Sequence, residues 1–277
     1  MESQCFDLKL EDKIAEMVLK RPQALNTMIP QFWRELPALI SALDDAGNAR
    51  VLLISSTGKH FCAGMDLSVF AAGIGNPGAD PFVRAEAFRH QVKALQHTFN
   101  VVAHSRIPTI AAIQGGCIGA GVDFVTACDI RYATEDAFFQ IAEINIAMTA
   151  DVGTFPRLCK LIPDGWVREL AYSGRRLPAA KAKEIGLINE VFPDQDAMLA
   201  AARALALEIA ARNPLAVTGS KVMIQYARDH SEADALDYIA IWQTAMLAPP
   251  HMAEAFAAQA QKRAPIFPDL APIPKGL

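Results

Sequence analysis

Gly115-Gly116-Cys117-Ile118-Gly119-Ala120-Gly121-Val122-Asp123 lies between the apolar run Thr109 to Ile113 and a second apolar segment ending at Ala127. Glycine lets a backbone turn tightly and approach a ligand closely. This run ends on a carboxylate, Asp123. Two more acids, Glu143 and Asp151, flank the mostly apolar stretch Ile144-Asn145-Ile146-Ala147-Met148-Thr149-Ala150. A charge in apolar surroundings costs free energy unless it is paired or used. Three such acids, close to glycines that can present backbone N–H groups, point to proton-transfer chemistry.

A second glycine-bounded loop, Lys59-His60-Phe61-Cys62-Ala63-Gly64-Met65-Asp66-Leu67, also follows a strand pattern. Either loop can offer a free backbone N–H at the start of a helix, where the dipole also favours negative charge. Two such donors aimed at one point make an oxyanion hole, and one donor is typically worth about 3 kcal/mol in a transition state. Taken singly, each loop is equally well a glycine turn at a strand–helix junction. Two familiar motifs are excluded. A dinucleotide fingerprint starting at Gly119 needs glycine where Phe124 stands, and no Gly-Lys-Ser/Thr triplet completes a P-loop. The acids have plain readings too: Asp123 as a first-turn helix acid, Asp151 as an N-cap and Glu143 as a solvated loop residue.

The rest of the chain supplies a frame. Its 277 residues, 52% hydrophobic, suffice for one large core, with or without a helical extension. A net charge of −4 gives no electrostatic case for nucleic acid. The longest apolar runs fall well short of a membrane span. Met1-Glu2-Ser3-Gln4-Cys5 has no signal-peptide character, and Pro274-Lys275-Gly276-Leu277 is not a Ser-Lys-Leu address, so the expected location is cytoplasmic. The five cysteines form no C-x-x-C pair, which suggests reduced thiols and no metal site.

Short strands are expected at Phe6 to Leu10, Ile14 to Leu19, Val51 to Ser55, Thr109 to Ile113, Ile130 to Ala133 and Glu190 to Phe192, and a further one at Ala137 to Gln140. Helices are expected at Ile29 to Asp45, Phe82 to His104, Gly121 to Ala127, Val152 to Leu158, Asp164 to Ser173 and Pro178 to Ile185. From Met198 to about Arg263 the pattern is helical, interrupted at Asn213-Pro214, Ser231 and Pro249-Pro250. Residues 72 to 81, rich in Gly and Pro, read as a mobile segment.

With these motifs in view, the chain resembles the crotonase superfamily, the enoyl-CoA hydratase/isomerase family. The likeness runs from Arg21-Pro22-Gln23-Ala24-Leu25-Asn26 to the last helices. Within it, Gly-Gly-Cys-Ile-Gly-Ala-Gly-Val-Asp, Ala-Cys-Asp-Ile-Arg-Tyr, Asp-Ala-Phe-Phe-Gln and Ala-Asp-Val-Gly-Thr are similar to the branch of delta-3,5-delta-2,4-dienoyl-CoA isomerases. Asn-Pro-Leu-Ala-Val-Thr-Gly-Ser-Lys, Arg-Asp-His-Ser and Leu-Asp-Tyr-Ile-Ala extend the likeness through the helical third.

The resemblance implies an α/β fold, a crotonase-type spiral of ββα units over residues 1–200. A C-terminal helical region at 201–277 would serve packing and oligomerisation. It implies an oxyanion hole from the N–H groups of Met65 and Ala120. Ala120 stands where many members have glycine, which is acceptable if its backbone angles suit alanine. It implies that Asp123, Glu143 and Asp151 are the catalytic acids, Glu143 taking a proton from carbon 2 and Asp151 giving one to carbon 6. Asp123 would tune Glu143 or hold a hydrogen bond. Arg21, Ala63, Gly64, Asp66, Leu67 and Gly119 would contact the acyl-CoA, with Lys20 and Lys59 as further cations for its phosphates. His60, His104, Phe138 and Phe139 are expected only to pack or face solvent.

By the same resemblance the substrate is an acyl-CoA thioester of fatty-acid β-oxidation. No metal or redox cofactor is required, coenzyme A being part of the substrate. The expected assembly is a homotrimer or homohexamer packed through residues such as Ile239, Trp242 and Met246, without nucleic acid or membrane. Segment 72–81 would shape the chain-length pocket. Two other readings stay open: a hydratase of 2-enoyl-CoA using Asp123 and Glu143, and a non-catalytic acyl-CoA-binding or RNA-associated scaffold on the same fold.

Overall fold

The computed structural model describes residues 3–66, 68–69 and 80–274. Six strands form the main sheet in the order β1-β2-β3-β4-β6-β9. They are β1 (Phe6–Glu11), β2 (Ile14–Leu19), β3 (Val51–Ser56), β4 (Thr109–Ile113), β6 (Ile130–Thr134) and β9 (Glu190–Phe192). β1 and β2 make an antiparallel hairpin, and from β2 onward every pairing is parallel. A smaller sheet holds β5 (Gly116–Ile118), β7 (Phe138–Gln140) and β8 (Leu177–Pro178). Consecutive segments therefore lay one strand in each sheet before a helix: β4 and β5, then β6 and β7. This is the repeating ββα spiral expected above.

Most expected elements stand where the periodicity puts them. The differences fall in the small sheet. Gly116–Ile118 is a strand rather than part of a glycine loop, and Leu177–Pro178 is a short strand rather than the start of a helix. Neither segment has enough residues to show a period. Both are extended because β7 pairs with each of them, parallel to β5 and antiparallel to β8.

Both faces of the main sheet are covered, which is why β3 and β4 are buried at every position. On one face, α7 (Gln195–Ala210) presents Met198, Ala202, Ala206 and Ala210 to Ile14, Val51, Leu53, Ile110 and Ala112. The i, i+4 spacing of these residues keeps one narrow stripe against the strands. On the other face, α1 (Pro30–Ala46), α2 (Pro81–His104) and α3 (Ala120–Thr126) close over an aromatic centre. There Phe32 meets Phe6, Phe99 and Phe124 with centroids 5.1, 6.4 and 5.9 Å apart. Phe124 is the residue after Asp123, so this aromatic centre anchors the helix that carries that acid.

The long helix α2 begins with Asp80 as its cap, the carboxylate accepting from the N–H groups of Phe82 and Val83. Residues 80 and 81 thus belong to a helix start. The remainder of the segment expected to be mobile, 72–79, lies outside the described residues. Four short helical segments follow β7: a 3-10 turn at Glu143–Ile146, α4 (Thr154–Leu158), α5 (Asp164–Ser173) and α6 (Ala179–Glu184). The last third is helical as expected, with α8 (Pro214–Asp229), α9 (Glu232–Met246) and α10 (Pro249–Ala260). No helix among the described residues is long and apolar enough to cross a membrane. Cys5, Cys62, Cys117 and Cys128 are buried free thiols, and Cys159 is an exposed one.

Candidate active site

The two glycine-bounded loops meet. Cys62 and Cys117 form a parallel bridge, in which the Cys62 N–H donates to the Gly116 carbonyl at 3.1 Å and the Ile118 N–H to the Cys62 carbonyl at 3.0 Å. A second parallel bridge pairs Met28 with Met65. Here the Met28 N–H donates to Gly64 and the Asp66 N–H to Met28, at 2.8 and 3.1 Å. In such a bridge the residues either side of Met65 make the bonds, and its own N–H points the other way. Ala120 is the first residue of α3, where helix geometry gives an N–H no intrahelical partner. Neither amide donates to a backbone carbonyl among the described residues.

Two glycines permit this approach. A Cβ at Gly64 would lie 2.8 Å from the Ile118 carbonyl oxygen, and the residue has φ +87°. Gly119, at φ +54°, would point a Cβ at the Glu143 carboxylate, 3.2 Å from Oε1. Ala120 is not among the residues with positive φ, so alanine fits there without strain.

The three acids come from successive segments, and Gly119 brings Glu143 against the start of α3. Asp123 lies in the first turn of α3, completely buried at 0% exposure. Its Oδ1 accepts the Thr154 N–H at 2.5 Å, and its Oδ2 has no partner among the described residues. Glu143 opens the 3-10 turn, with Oε2 also buried and unpartnered among the described residues. Asp151 is half-buried in the segment before α4. All three carboxyls hold their protons more tightly than usual. Burial is the main cause each time, because it removes water from the charged form. Asp123 is pushed up to about 7, burial being reinforced by the Glu143 charge and opposed by the Thr154 hydrogen bond and Arg157. Glu143 is raised further by Asp151. Glu143 thus stands between two acids, its charge raising the pKa of Asp123 and the Asp151 charge raising its own.

Several residues without a local sequence signal hold these parts in place. Gln96 of α2 donates to the Asp151 carbonyl at 2.7 Å. One turn along, Asn100 accepts from Arg157 Nη2 at 2.6 Å. Arg131 ties down the C-terminal end of α3, donating to the Cys128 and Leu187 carbonyls at 2.6 and 2.7 Å. His60, expected only to pack or face solvent, accepts the Gly116 N–H through Nδ1 at 2.8 Å. Its pKa is lowered, chiefly by burial and then by Lys59 and Arg176, which suits a neutral acceptor. Asn26 donates to the Thr57 and His60 carbonyls at 2.8 and 3.0 Å, fixing the start of the first loop. Asn26 and His60 adjoin or lie in the loops; Gln96 and Asn100, in mid-helix, carry no hint of these contacts in the sequence.

The residues expected to contact acyl-CoA stand around the same junction. The Ala63 N–H donates to Leu25. The Arg21 guanidinium donates to the Thr27 carbonyl, and Lys20 pairs with Asp7 at 2.9 Å. Asp66 accepts from Thr27 and Ser68, bonds that hold its pKa below the ordinary value. Arg21 and Asp66 thus have a local role in shaping the loop. Leu67 lies outside the described residues. Among the described residues no cluster of His, Cys, Asp or Glu is placed to hold a metal ion.

A model of the enoyl-CoA hydratase/isomerase family matches residues 9–269. The chain is 43% identical over 252 residues to the mitochondrial delta(3,5)-delta(2,4)-dienoyl-CoA isomerase of Mus musculus, spanning 90% of this chain and 77% of that protein. It is 38% identical over 262 residues to the peroxisomal enzyme of the same name from Arabidopsis thaliana, covering 94% of each. The compartments in those names lend no support to the cytoplasmic location expected from the terminal residues. Among solved structures, an enoyl-CoA hydratase from Bacillus anthracis superposes with a TM-score of 0.85 at 28% identity, covering 95% of this chain and 99% of that one. By sequence across nearly its whole length, and by the spiral that sequence folds into, the chain belongs to the enoyl-CoA hydratase/isomerase family.

Proposed function

We propose that the chain isomerises a 3,5-dienoyl-CoA to the 2,4-dienoyl-CoA by carboxylate proton transfer. The observation that carries this reading is the presence of three acids with raised proton affinity beside two backbone amides left without backbone acceptors. The names of the relatives at 43% and 38% identity agree with it.

The chemistry follows from charge. Removing a proton from carbon 2 produces a dienolate whose negative charge sits largely on the thioester oxygen. The Met65 and Ala120 N–H groups donate to that oxygen, their backbone being set before the charge develops. Glu143 takes the carbon 2 proton and Asp151 delivers one to carbon 6. A single side chain cannot comfortably serve both ends of the extended dienolate, whereas two in opposite protonation states can. Asp123, raised to about 7 by burial and the Glu143 charge, can hold a proton near neutral pH, so that Glu143 can be ionised without a second full charge beside it. A hydratase needs only two acids, and Asp151 would then be idle. Comparing crotonyl-CoA hydration with dienoyl-CoA isomerisation separates the two activities.

The assembly follows from what the monomer leaves uncovered. Leu236, Ile241 and Phe256 on α9 and α10 are 58, 64 and 65% exposed, more apolar surface than a lone helix pair keeps in water. We assign this face, with Ile239 and Met246, to packing in a homotrimer or homohexamer. Trp242, half-buried with its ring against Gly219 of its own chain, stands at the edge of that set. Light scattering should return three or six times the chain mass of 30.0 kDa, and a monomer would refute the assignment.

Asp151→Asn and Glu143→Gln should each lower isomerisation by about 10²–10⁴-fold while the fold is retained. Unchanged rates in both would end the assignment. Asp123 also links to stability. Its folded pKa of about 7 lies above its ordinary 3.8, so between those values the folded state binds more protons and stability falls as pH rises. Asp123→Asn removes that loss. The variant should melt higher than the parent at pH 8, with the gain shrinking towards pH 4. A gain that is the same at both pH values, or absent at pH 8, would contradict the burial account.

A further inference from the structure

The isomerase reading carries an obligation in proton accounting. In one forward turnover the carbon 2–hydrogen bond breaks and a Glu143 O–H forms. The electron pair shifts along the dienolate, a carbon 6–hydrogen bond forms and the Asp151 O–H breaks. The product has the same composition as the substrate. The protein does not return to its starting state: Glu143 is left protonated and Asp151 ionised, the reverse of what the next forward turnover requires. A proton must leave one carboxyl and another must reach the second.

A cavity of about 950 Å³ borders the acid segment, between α2, residues 126–130, the Ala150–Leu161 stretch and α8. Of the three acids, only Asp151 lines it; Asp123 and Glu143 do not. Gln96, Asn100 and Arg157, the side chains that brace this segment, share its polar wall with Asp129, Lys221 and Arg228. Ser220 and Ile224 of α8 stand on its exposed side. A space of this size with polar walls admits water. The burial of the acids shows the same asymmetry. Asp123 is fully enclosed; Glu143 and Asp151 are both half-buried, but Glu143 keeps its Oε2 out of contact with solvent.

We propose that this cavity is the proton-exchange route of Asp151, which trades its proton with solvent from behind while the acyl-CoA still occupies the site. Glu143 has no such access and exchanges only when the ligand leaves. The proposal rests on the isomerase reading above. The carbon 6 hydrogen of the product therefore equilibrates with solvent, and the carbon 2 hydrogen of the substrate is protected.

The test follows deuterium by mass spectrometry and NMR, with the full chain in D2O. Supplied with 2,4-dienoyl-CoA, the enzyme should place deuterium at carbon 6 several-fold faster than it interconverts the isomers. Supplied with 3,5-dienoyl-CoA, it should exchange carbon 2 no faster than it interconverts them. Ser220→Trp should narrow the cavity and bring carbon 6 exchange down towards the interconversion rate. Among the described residues, the native Ser220 hydroxyl bonds only to the Ala216 carbonyl of its own helix, at 2.9 Å. Ile224→Trp, one turn along and 63% exposed, provides a second obstruction. Equal exchange at the two carbons, or carbon 6 exchange untouched by both tryptophans, would overturn the route and leave the isomerase intact. An enzyme that interconverts nothing removes the isomerase reading itself, and the route with it.

Discussion

The site depends on one backbone contact, the parallel bridge between Cys62 and Cys117. It joins a loop leaving β3 to the strand that follows β4, so segments 55 residues apart in sequence share a sheet edge. Once that bridge forms, Met65 and Ala120 are each placed one short step beyond a fixed point. The bridge is possible only because Gly64 leaves room against the Ile118 carbonyl, where any Cβ would be 2.8 Å away. Both cysteines are buried, with thiol pKa values raised by that burial. They serve as small packing residues under the junction and are poor nucleophiles.

Against this backbone frame the acids are an electrostatic liability. Asp123 and Glu143 each leave a buried carboxyl oxygen unpartnered among the described residues, an arrangement that costs stability when the groups ionise. The cost is opposed locally by the Thr154 N–H and by Arg157, which lowers the Asp123 pKa. It is met globally by the aromatic centre around Phe32, Phe99 and Phe124, which fixes α3 whatever charge Asp123 carries. Strained or costly groups persist where the surrounding packing over-determines them, and here the packing begins one residue after the acid.

The sequence made most of the frame legible because it is periodic. β3 and β4 are continuous apolar runs with both faces covered, and α1 carries Phe32, Leu36, Ile40 and Leu43 on its buried side. The acids were legible for a different reason: carboxylates among apolar residues and glycines are conspicuous. What stayed hidden has no local signature. β5 and β8 are too short for a pattern and exist through pairing with β7. The hydrogen bonds from Gln96 to Asp151 and from Gly116 to His60 span 55 and 56 residues.

The central claim is geometric: two amides hold the thioester oxygen while two carboxyls face opposite ends of the unsaturated chain. The most direct measurement is a crystal structure with 2,4-dienoyl-CoA bound. The account predicts the thioester oxygen at about 2.9 Å from both the Met65 and Ala120 nitrogens, with the Glu143 carboxyl over carbon 2 and the Asp151 carboxyl over carbon 6. A thioester oxygen bound elsewhere, or an Asp151 carboxyl turned away from the acyl chain, would contradict it.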